Sequence, residues 1–170
     1  MSPPISLRVL PLPEGIPGRV YLSRMPGRTG HFQLDRDVIV TAGIDTVMCL
    51  TPIEEIQVRS PEYASSIQQS DVPWRQIVAP MDSFSVPTDK HAWLREVRLA
   101  TDHLRKGGTV LFHCAFGHGR TGTTAICLLL TFGMSLSDAT ISVIGAGSEP
   151  EDTRQWDLLH WAAGTMGLDY

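Results

Sequence analysis

The sequence predicts an α/β fold, with a mostly parallel central sheet of about four to five strands that is flanked by helices on both faces. Short apolar runs rich in β-branched residues alternate along the 170-residue chain with longer segments of helical periodicity. Proline and glycine clusters separate these segments, as expected where short turns join strands to helices. A chain of this length can bury one substantial core, so we expect a single domain.

The predicted strands are short and apolar, and cover residues 20–23, 45–50, 74–79 and 109–112. Between them, helices are indicated by apolar residues at helical spacing and by start signals such as Thr51-Pro52 and Ser60-Pro61. The expected helices cover residues 34–42, a segment from 51, and residues 61–69, 87–106, 120–130, 135–144 and 151–166. The order of these elements is that of an open parallel sheet.

The first 18 residues differ in composition from the rest of the chain. Residues 1–18 contain five prolines, which exclude a helix at this density and favour an extended arm that lies on the domain. Residues 19–170 are predicted to form the single domain, without repeats or low-complexity tracts.

Composition and charge exclude several classes of protein. The formal net charge is −4, so no affinity for nucleic acid or for membrane surfaces is expected. No apolar run reaches the ~20 residues of a transmembrane helix, and the N-terminus lacks the pattern of a signal peptide. The three cysteines show no disulfide spacing. This fits a reducing compartment and predicts a cytoplasmic location.

The stretch from residue 109 to residue 130 reads as a buried strand, a glycine-bearing loop and a helix. Such a loop presents backbone N–H groups and the positive end of the helix dipole, which together bind anions. Cys114 opens the loop, where these surroundings favour the thiolate. Arg120 closes it with a planar fork that can hold two oxygens of a tetrahedral anion, and the hydroxyl of Thr121 can donate to the sulfur.

The residues between the cysteine and the arginine are the predicted substrate-binding surface. They are Ala115, Phe116, Gly117, His118 and Gly119, together with Arg120. The two glycines allow positive φ angles and a close approach of the backbone to the anion. His113, at the end of the strand, is predicted to be buried and to orient the loop through hydrogen bonds to the backbone.

The same glycines form a G-x-G-x-x-G pattern over residues 117–122, with Asp138 about 20 residues further on, as in dinucleotide sites. We reject this interpretation because the residues before Asp138 do not read as a second parallel strand. Fewer than 50 residues follow Gly122, too few for the second half of such a fold.

Residues 113–121, HCAFGHGRT, resemble the His-Cys-x5-Arg-Ser/Thr signature of the cysteine-dependent protein tyrosine phosphatase superfamily. The layout outside the loop, with Tyr21–Gly27 before a helix and an acidic Glu54-Glu55 pair after a strand, is similar to the dual-specificity phosphatase branch. The resemblance implies that residues 19–170 are a catalytic phosphatase domain. It implies metal-independent hydrolysis of phosphomonoesters through a phosphocysteine intermediate, without a cofactor, on a phosphoprotein or phosphopeptide substrate.

The implied reaction needs a carboxylic acid that protonates the leaving oxygen. Asp82 is the candidate, because it directly follows a buried strand and therefore lies at the same sheet edge as Cys114. Its loop also resembles the Pro-x-Asp acid loop of the family. Asp71 reads as a turn residue, and Asp89 as part of the first turn of a helix.

Other polar residues carry weaker signals. Gln155 loosely matches the glutamine with which family members orient the hydrolytic water, and a solvated helix residue is an equal interpretation. Glu54 and Glu55 are predicted to form a solvated first helical turn with no catalytic role. The six histidines lack metal-ligand spacing, so no metal site is predicted.

Several alternatives stay open. The loop can serve a phosphate-binding adaptor with little turnover, or a phosphatase of a non-protein substrate such as a phosphoinositide or an RNA 5′ end. The loop carries no lysine, which favours phosphoproteins over phosphoinositides. Arsenate reduction would need a nearby resolving thiol, whereas Cys127 is predicted to be buried. The branch usually places arginine in the turn before the last helix. This chain has GAGSEP at residues 145–150, so no second phosphate contact is predicted there. We expect a monomer.

Overall fold

The computed structural model describes residues 2–168 and confirms the predicted α/β fold. Its strands are β1 (Arg8–Leu10), β2 (Arg19–Ser23), β3 (Thr46–Cys49), β4 (Arg75–Val78) and β5 (Thr109–His113). They form one sheet in the order β1-β2-β5-β3-β4, in which only the β1–β2 pairing is antiparallel. Strand β5 is therefore central, and the loop that follows it lies between the ends of β2 and β3.

Seven helices lie within the described residues. They are α1 (Phe32–Thr41), α2 (Ile53–Arg59), α3 (Pro61–Gln68), α4 (Lys90–Arg105), α5 (Gly119–Thr131), α6 (Leu136–Gly145) and α7 (Thr153–Thr165). The predicted start of α2 with Thr51 as N-cap is wrong, since the cap is Pro52 in an extended conformation. Across residues 2–168, no helix combines the length and the apolar character needed to cross a membrane.

Two hydrophobic clusters cover the two faces of the sheet. Val110 and Phe112 of β5 pack in the cluster that includes α4 to α7, while Leu111 packs in the cluster that includes α1 to α3. This alternation follows from the two-residue period of a strand, which sends successive side chains to opposite faces. Because β5 is buried from both sides, its C-terminal end is a rigid platform for the loop that begins at Cys114.

The proline-rich arm contributes an edge strand. Arg8 of β1 lies opposite Leu22 of β2, in a pairing that covers the outer edge of the parallel sheet. The sequence predicted an extended arm but no strand. The division into residues 1–18 and 19–170 stays a prediction, and its residues 1, 169 and 170 lie outside the described part of the chain.

Asp35 of α1 ties the arm to the turn that follows β2. Its carboxylate is 1% exposed and accepts hydrogen bonds from the Ile5 N–H at 2.7 Å, the Gly27 N–H at 2.7 Å and the Arg24 guanidinium at 2.9 Å. A buried carboxylate needs such partners, because an unpaired charge in the interior is strongly destabilising.

We expect Asp35→Ala to lower the free energy of unfolding by about 3 kcal/mol, since it removes three hydrogen bonds and leaves Arg24 without its counter-ion. Urea denaturation measures this loss. Asp37→Ala on the exposed side of the same helix is the control and should change stability by less than about 0.5 kcal/mol. Equal effects of the two substitutions would contradict the assigned role of Asp35.

Candidate active site

Cys114 lies at the floor of the loop between β5 and α5, and is 3% exposed. Its Sγ accepts hydrogen bonds from the Gly117 N–H at 3.2 Å and from the Thr121 hydroxyl at 3.1 Å. Donors directed at a sulfur favour its anionic form over the neutral thiol. The loop therefore surrounds this sulfur with groups that stabilise a thiolate.

The backbone of the loop forms the anion cradle. Helix α5 begins at Gly119, so the N–H groups of its first turn lack intrahelical acceptors and are available to an anion. Gly117 has φ +82°, and a Cβ at this position would lie 2.6 Å from the Ser23 backbone. Only glycine permits this turn. The cleft above Cys114 encloses about 20 Å³, which is room for one small group.

Arg120 is held by Glu55 of α2, across 65 positions in the sequence. Its Nη1 and Nη2 donate to the two carboxylate oxygens at 2.8 and 3.1 Å, and Nη1 also donates to the Met81 carbonyl at 2.9 Å. The prediction that Glu55 is only a solvated residue is therefore wrong. Burial by itself would lower the pKa of Arg120, but the hydrogen bond from Glu55 and the negative charge at Cys114 outweigh burial and raise it.

The hydrogen bonds of Arg120 leave a defined pair of donors for substrate. A guanidinium has five N–H bonds, and three of them are used by Glu55 and Met81. The Nε–H and one Nη2–H remain, and this side of the planar group is the one that binds two oxygens of a phosphate. Glu55 thus fixes both the charge and the orientation of the arginine.

His113 anchors the nucleophile through a chain of buried hydrogen bonds. Its Nδ1 lies 3.1 Å from the Cys114 carbonyl oxygen and its Nε2 lies 2.8 Å from the Tyr63 hydroxyl. A carbonyl oxygen only accepts, so Nδ1 donates and Nε2 accepts from Tyr63. Gln76 then donates to the Tyr63 oxygen at 3.1 Å, and the Trp74 indole donates to Gln76 at 2.8 Å. Each link has one donor and one acceptor when His113 is neutral.

Burial lowers the pKa of His113 to about 4, and the Arg120 charge acts in the same direction. The hydrogen bond to the Cys114 carbonyl opposes this change only in part. The imidazole is therefore neutral at pH 7, as the hydrogen-bond chain requires. This arrangement agrees with the buried, loop-orienting position that the sequence predicted for His113.

Arg8 of the edge strand supports the loop from the other side. Its guanidinium donates to the Gly117 carbonyl at 2.6 Å, to the Ala146 carbonyl at 2.7 Å and to the Ser148 hydroxyl at 2.8 Å. Ser148 in turn donates to the Gly117 carbonyl at 2.7 Å. The arm thus clamps the active loop to the turn before α7. Burial lowers the pKa of Arg8, while the negative charge at Cys114 partly offsets this effect.

The remaining loop side chains form the rim. His118 donates from Nδ1 to the Gly147 carbonyl at 3.1 Å, which adds a second link to the turn before α7. Phe116 is 48% exposed and stands beside the guanidinium of Arg28. Ala115 is fully buried and its carbonyl accepts from the Met25 N–H at 3.2 Å. The backbone at Ala115 therefore joins the loop to the turn after β2.

Two carboxylates lie near the cleft. Asp82 is exposed and directly follows Met81, whose carbonyl binds Arg120. Glu151 lines the cleft itself, and a Cβ at residue 119 would lie 2.7 Å from its Oε1. Sequence reasoning did not consider Glu151. The other candidates are placed elsewhere: the Asp89 carboxylate caps α4, and Asp71 lies 3.9 Å from Arg36.

Gln155 is buried and lines the cleft, with both ends of its amide bound to backbone groups. Its Nε2 donates to the Ser85 carbonyl at 3.0 Å and its Oε1 accepts from the Glu151 N–H at 2.8 Å. It is therefore not the solvated helix residue that was the equal alternative. The amide retains one N–H and one lone pair for a water, so its role toward a hydrolytic water stays a prediction.

The other two cysteines differ from Cys114 in their surroundings. Cys49 and Cys127 are fully buried, and burial raises the pKa of both thiols, that of Cys49 to about 12. Both remain protonated at neutral pH. Among residues 2–168, no group of three His, Cys, Asp or Glu side chains is arranged to hold a metal ion.

Comparison with known proteins gives one family and a set of similar folds. The family described as Swiss Army Knife protein, DSP-PTPase phosphatase domain, matches residues 20–158. No curated protein sequence matches the chain. A solved structure of kinase associated phosphatase, with serine in place of its catalytic-site cysteine, is similar with a TM-score of 0.82 at 21% identity over 100% of both chains.

Two further solved structures are similar over most of their length. Tk-PTP in its active form has a TM-score of 0.69 at 26% identity, with 88% of this chain and 94% of that chain covered. PTPMT1 in complex with PI(5)P has a TM-score of 0.69 at 18% identity, with 87% and 92% covered. Below 25% identity, such a likeness shows the fold alone.

We expect the pH dependence of stability to change in His113→Asn. The folded pKa of His113 is about 4, below the ordinary value of 6.5, so the unfolded chain binds a proton that the folded chain does not. Stability therefore falls as the pH decreases from 6.5 to 4, and this histidine accounts for about 3 kcal/mol of the fall. Urea denaturation at several pH values should show a smaller decrease in the variant. The exposed His31→Asn is the control, and equal slopes in wild type and His113→Asn would contradict the assignment.

We expect Arg8→Met to weaken the binding of tungstate to the loop by about tenfold, because it leaves the Gly117 and Ala146 carbonyls without their donor. Titration calorimetry measures the dissociation constant. Arg19→Met, on the exposed side of β2, is the matched control. Unchanged tungstate affinity in Arg8→Met would show that the arm does not position the loop.

Proposed function

Because the chain belongs to the DSP-PTPase phosphatase family and is a cysteine-based phosphatase, we propose that it hydrolyses phosphomonoesters of proteins with dual specificity. The observation that supports the site assignment is the convergence of the Cys114 sulfur and the free side of Arg120 on one loop. The narrow cleft accepts a phosphoryl group but does not enclose the side chain that carries it. Such a site suits phosphoserine, phosphothreonine and phosphotyrosine alike.

In the first step, the Cys114 thiolate attacks phosphorus and forms an S–P bond while the bond from phosphorus to the leaving oxygen breaks. The carboxylic acid of Asp82 gives its proton to that oxygen, which leaves as an alcohol or a phenol. The loop N–H groups and the two free donors of Arg120 bind the three equatorial oxygens and stabilise their negative charge.

In the second step, the Asp82 carboxylate takes a proton from a water molecule that attacks phosphorus. The S–P bond breaks, inorganic phosphate forms and the electron pair returns to the sulfur. The Thr121 hydroxyl, 3.1 Å from Sγ, stabilises the departing thiolate. Gln155 lies at the cleft on the same side as the loop of Asp82, through its bond to Ser85, and is our candidate to orient the water.

The loop of Asp82 is fixed at both ends, which supports its assignment as the acid. Arg120 binds the Met81 carbonyl before it, while Arg154 donates to the Phe84 carbonyl at 2.7 Å and Gln155 binds the Ser85 carbonyl after it. Glu151 is the rival acid, because its carboxylate lies inside the cleft.

A cytoplasmic location and a monomeric state are also proposed, as the sequence predicted. The three cysteines are free thiols, which is consistent with a reducing compartment.

We expect Cys114→Ser to abolish hydrolysis of an aryl phosphate in the presence of EDTA, because the hydroxyl is a far weaker nucleophile than the thiolate. Asp82→Asn should lower kcat by about 10²–10⁴-fold, the usual range for loss of a general acid. Steady-state kinetics measure both, with Asp71→Asn as the control for a distant carboxylate.

Activity that survives Cys114→Ser would overturn the proposed mechanism. The acid is identified by comparing Asp82→Asn with Glu151→Gln: the general acid is the residue whose loss removes the acidic requirement from the pH profile of kcat. A large effect of Glu151→Gln together with unchanged kcat in Asp82→Asn would assign the role to Glu151 instead.

A further inference from the structure

A cluster of arginines borders the active loop on the side away from the acid loop. Arg24 and Arg28 belong to the turn after β2, and Arg59 is the last residue of α2. They surround Phe116, whose ring is 48% exposed at the rim of the cleft. The guanidinium carbon of Arg28 lies 3.9 Å from the ring centroid, and that of Arg59 lies 5.3 Å from it.

The charges of this rim are not balanced. Arg24 pairs with Asp35 at 2.9 Å, and Arg59 pairs with Glu55 at 3.0 Å, although Glu55 also binds Arg120. Among the residues that the structure describes, Arg28 has no carboxylate partner. Four guanidinium groups thus share two carboxylates, and the rim carries two excess positive charges in a chain whose formal net charge is −4.

Arg28 bears the cost of this imbalance. Partial burial lowers its pKa, and the charges of Arg59 and Arg24 lower it further. Its Nε is buried and makes no hydrogen bond to any described residue. The contact with Phe116 explains where the guanidinium lies, but a cation–π contact leaves all of its in-plane donors unused. Unused guanidinium donors among like charges are the ordinary arrangement of a site that awaits an anion.

We propose that Arg28 and Arg59, seated against the ring of Phe116, form an accessory site for a second anionic group of a phosphopeptide substrate. The group is a phosphate or a carboxylate, which a planar guanidinium binds through two hydrogen bonds. This inference rests on the proposed function, since it assigns a substrate class to the same active site. It also supplies from the turn after β2 the anion contact that the GAGSEP turn does not predict.

The accessory site is within reach of a residue close to the phosphorylated one. Phe116 follows Cys114 by two residues, which span at most about 7 Å of backbone. An extended peptide advances about 3.3 Å per residue. A side chain one to three positions from the phosphoresidue can therefore reach Arg28 while the phosphate lies above Cys114. The cleft holds about 20 Å³, so the second anion must lie outside it, on a separate residue.

The test compares three phosphopeptides of one sequence: one with neutral flanking residues, one with aspartate at positions one to three from the phosphoresidue, and one with a second phosphoresidue there. Their dissociation constants are measured with the Cys114→Ser protein, alone and combined with Arg28→Gln or Arg28→Lys. We expect about tenfold tighter binding of the two anionic peptides in 50 mM salt, and a smaller preference in 500 mM salt. Arg28→Gln should reduce the ratio to about one, whereas Arg28→Lys keeps part of it.

Arg36→Gln on α1 is the matched control and should retain the full ratio, because Arg36 lies beside Asp71 and away from the loop. An unchanged ratio in Arg28→Gln, or no preference in the parent protein, would overturn the accessory site. Short-chain phosphoinositide mono- and bisphosphates form a further arm. A preference that Arg28→Gln removes for these lipids, but that no peptide shows, would overturn the peptide assignment.

Binding to the Cys114→Ser protein does not depend on turnover, so the two proposals fail separately. A wild-type protein that does not hydrolyse an aryl phosphate refutes the proposed activity. An active enzyme without an Arg28-dependent ratio refutes the accessory site alone.

Discussion

The ion pair between Arg120 and Glu55 determines the geometry of the substrate cradle. Arg120 is 3% exposed, and a guanidinium buried to this degree without a counter-ion would be strongly destabilising. Glu55 supplies that counter-ion and uses two donors, the Met81 carbonyl uses a third, and the last two remain for a phosphate. A single side chain thus joins the helix after β3, the loop after β4 and the helix after β5.

The rest of the sheet supports the same loop from both sides of β5. From the β4 side, the hydrogen-bond chain that runs through Tyr63 holds His113 neutral and fixes the carbonyl of Cys114. From the β1 side, Arg8 binds the Gly117 carbonyl and connects the loop to the turn before α7. Preorganised donors of this kind lower the cost of binding an anion, because little rearrangement is needed when it arrives.

Local pattern predicted the order and the type of the parallel strands and of the helices. Strands buried on both faces are continuous apolar runs, and glycine or proline marks their ends, so their existence is legible in one sequence. The edge strand β1 was not predicted. Three residues in a proline-rich arm have no periodicity of their own, and they are extended because they pair with β2. The start of α2 was misplaced by the same limit, since extended Pro52 rather than Thr51 provides the cap.

The sequence by itself determined the chemistry of the loop. The residues from His113 to Thr121 are contiguous, and a strand, a tight turn and a helix bring a sulfur, a guanidinium and a row of amides together whatever surrounds them. Only the tertiary structure decided which distant groups complete the site. Glu54 and Glu55 are equivalent in sequence, and the packing of α2 directs Glu55 at Arg120 from 65 positions away. Arg8 acts across 109 positions, and Arg28 meets Phe116 through the turn after β2. Pairings at such separations depend on how the helices and strands pack, which no local pattern encodes.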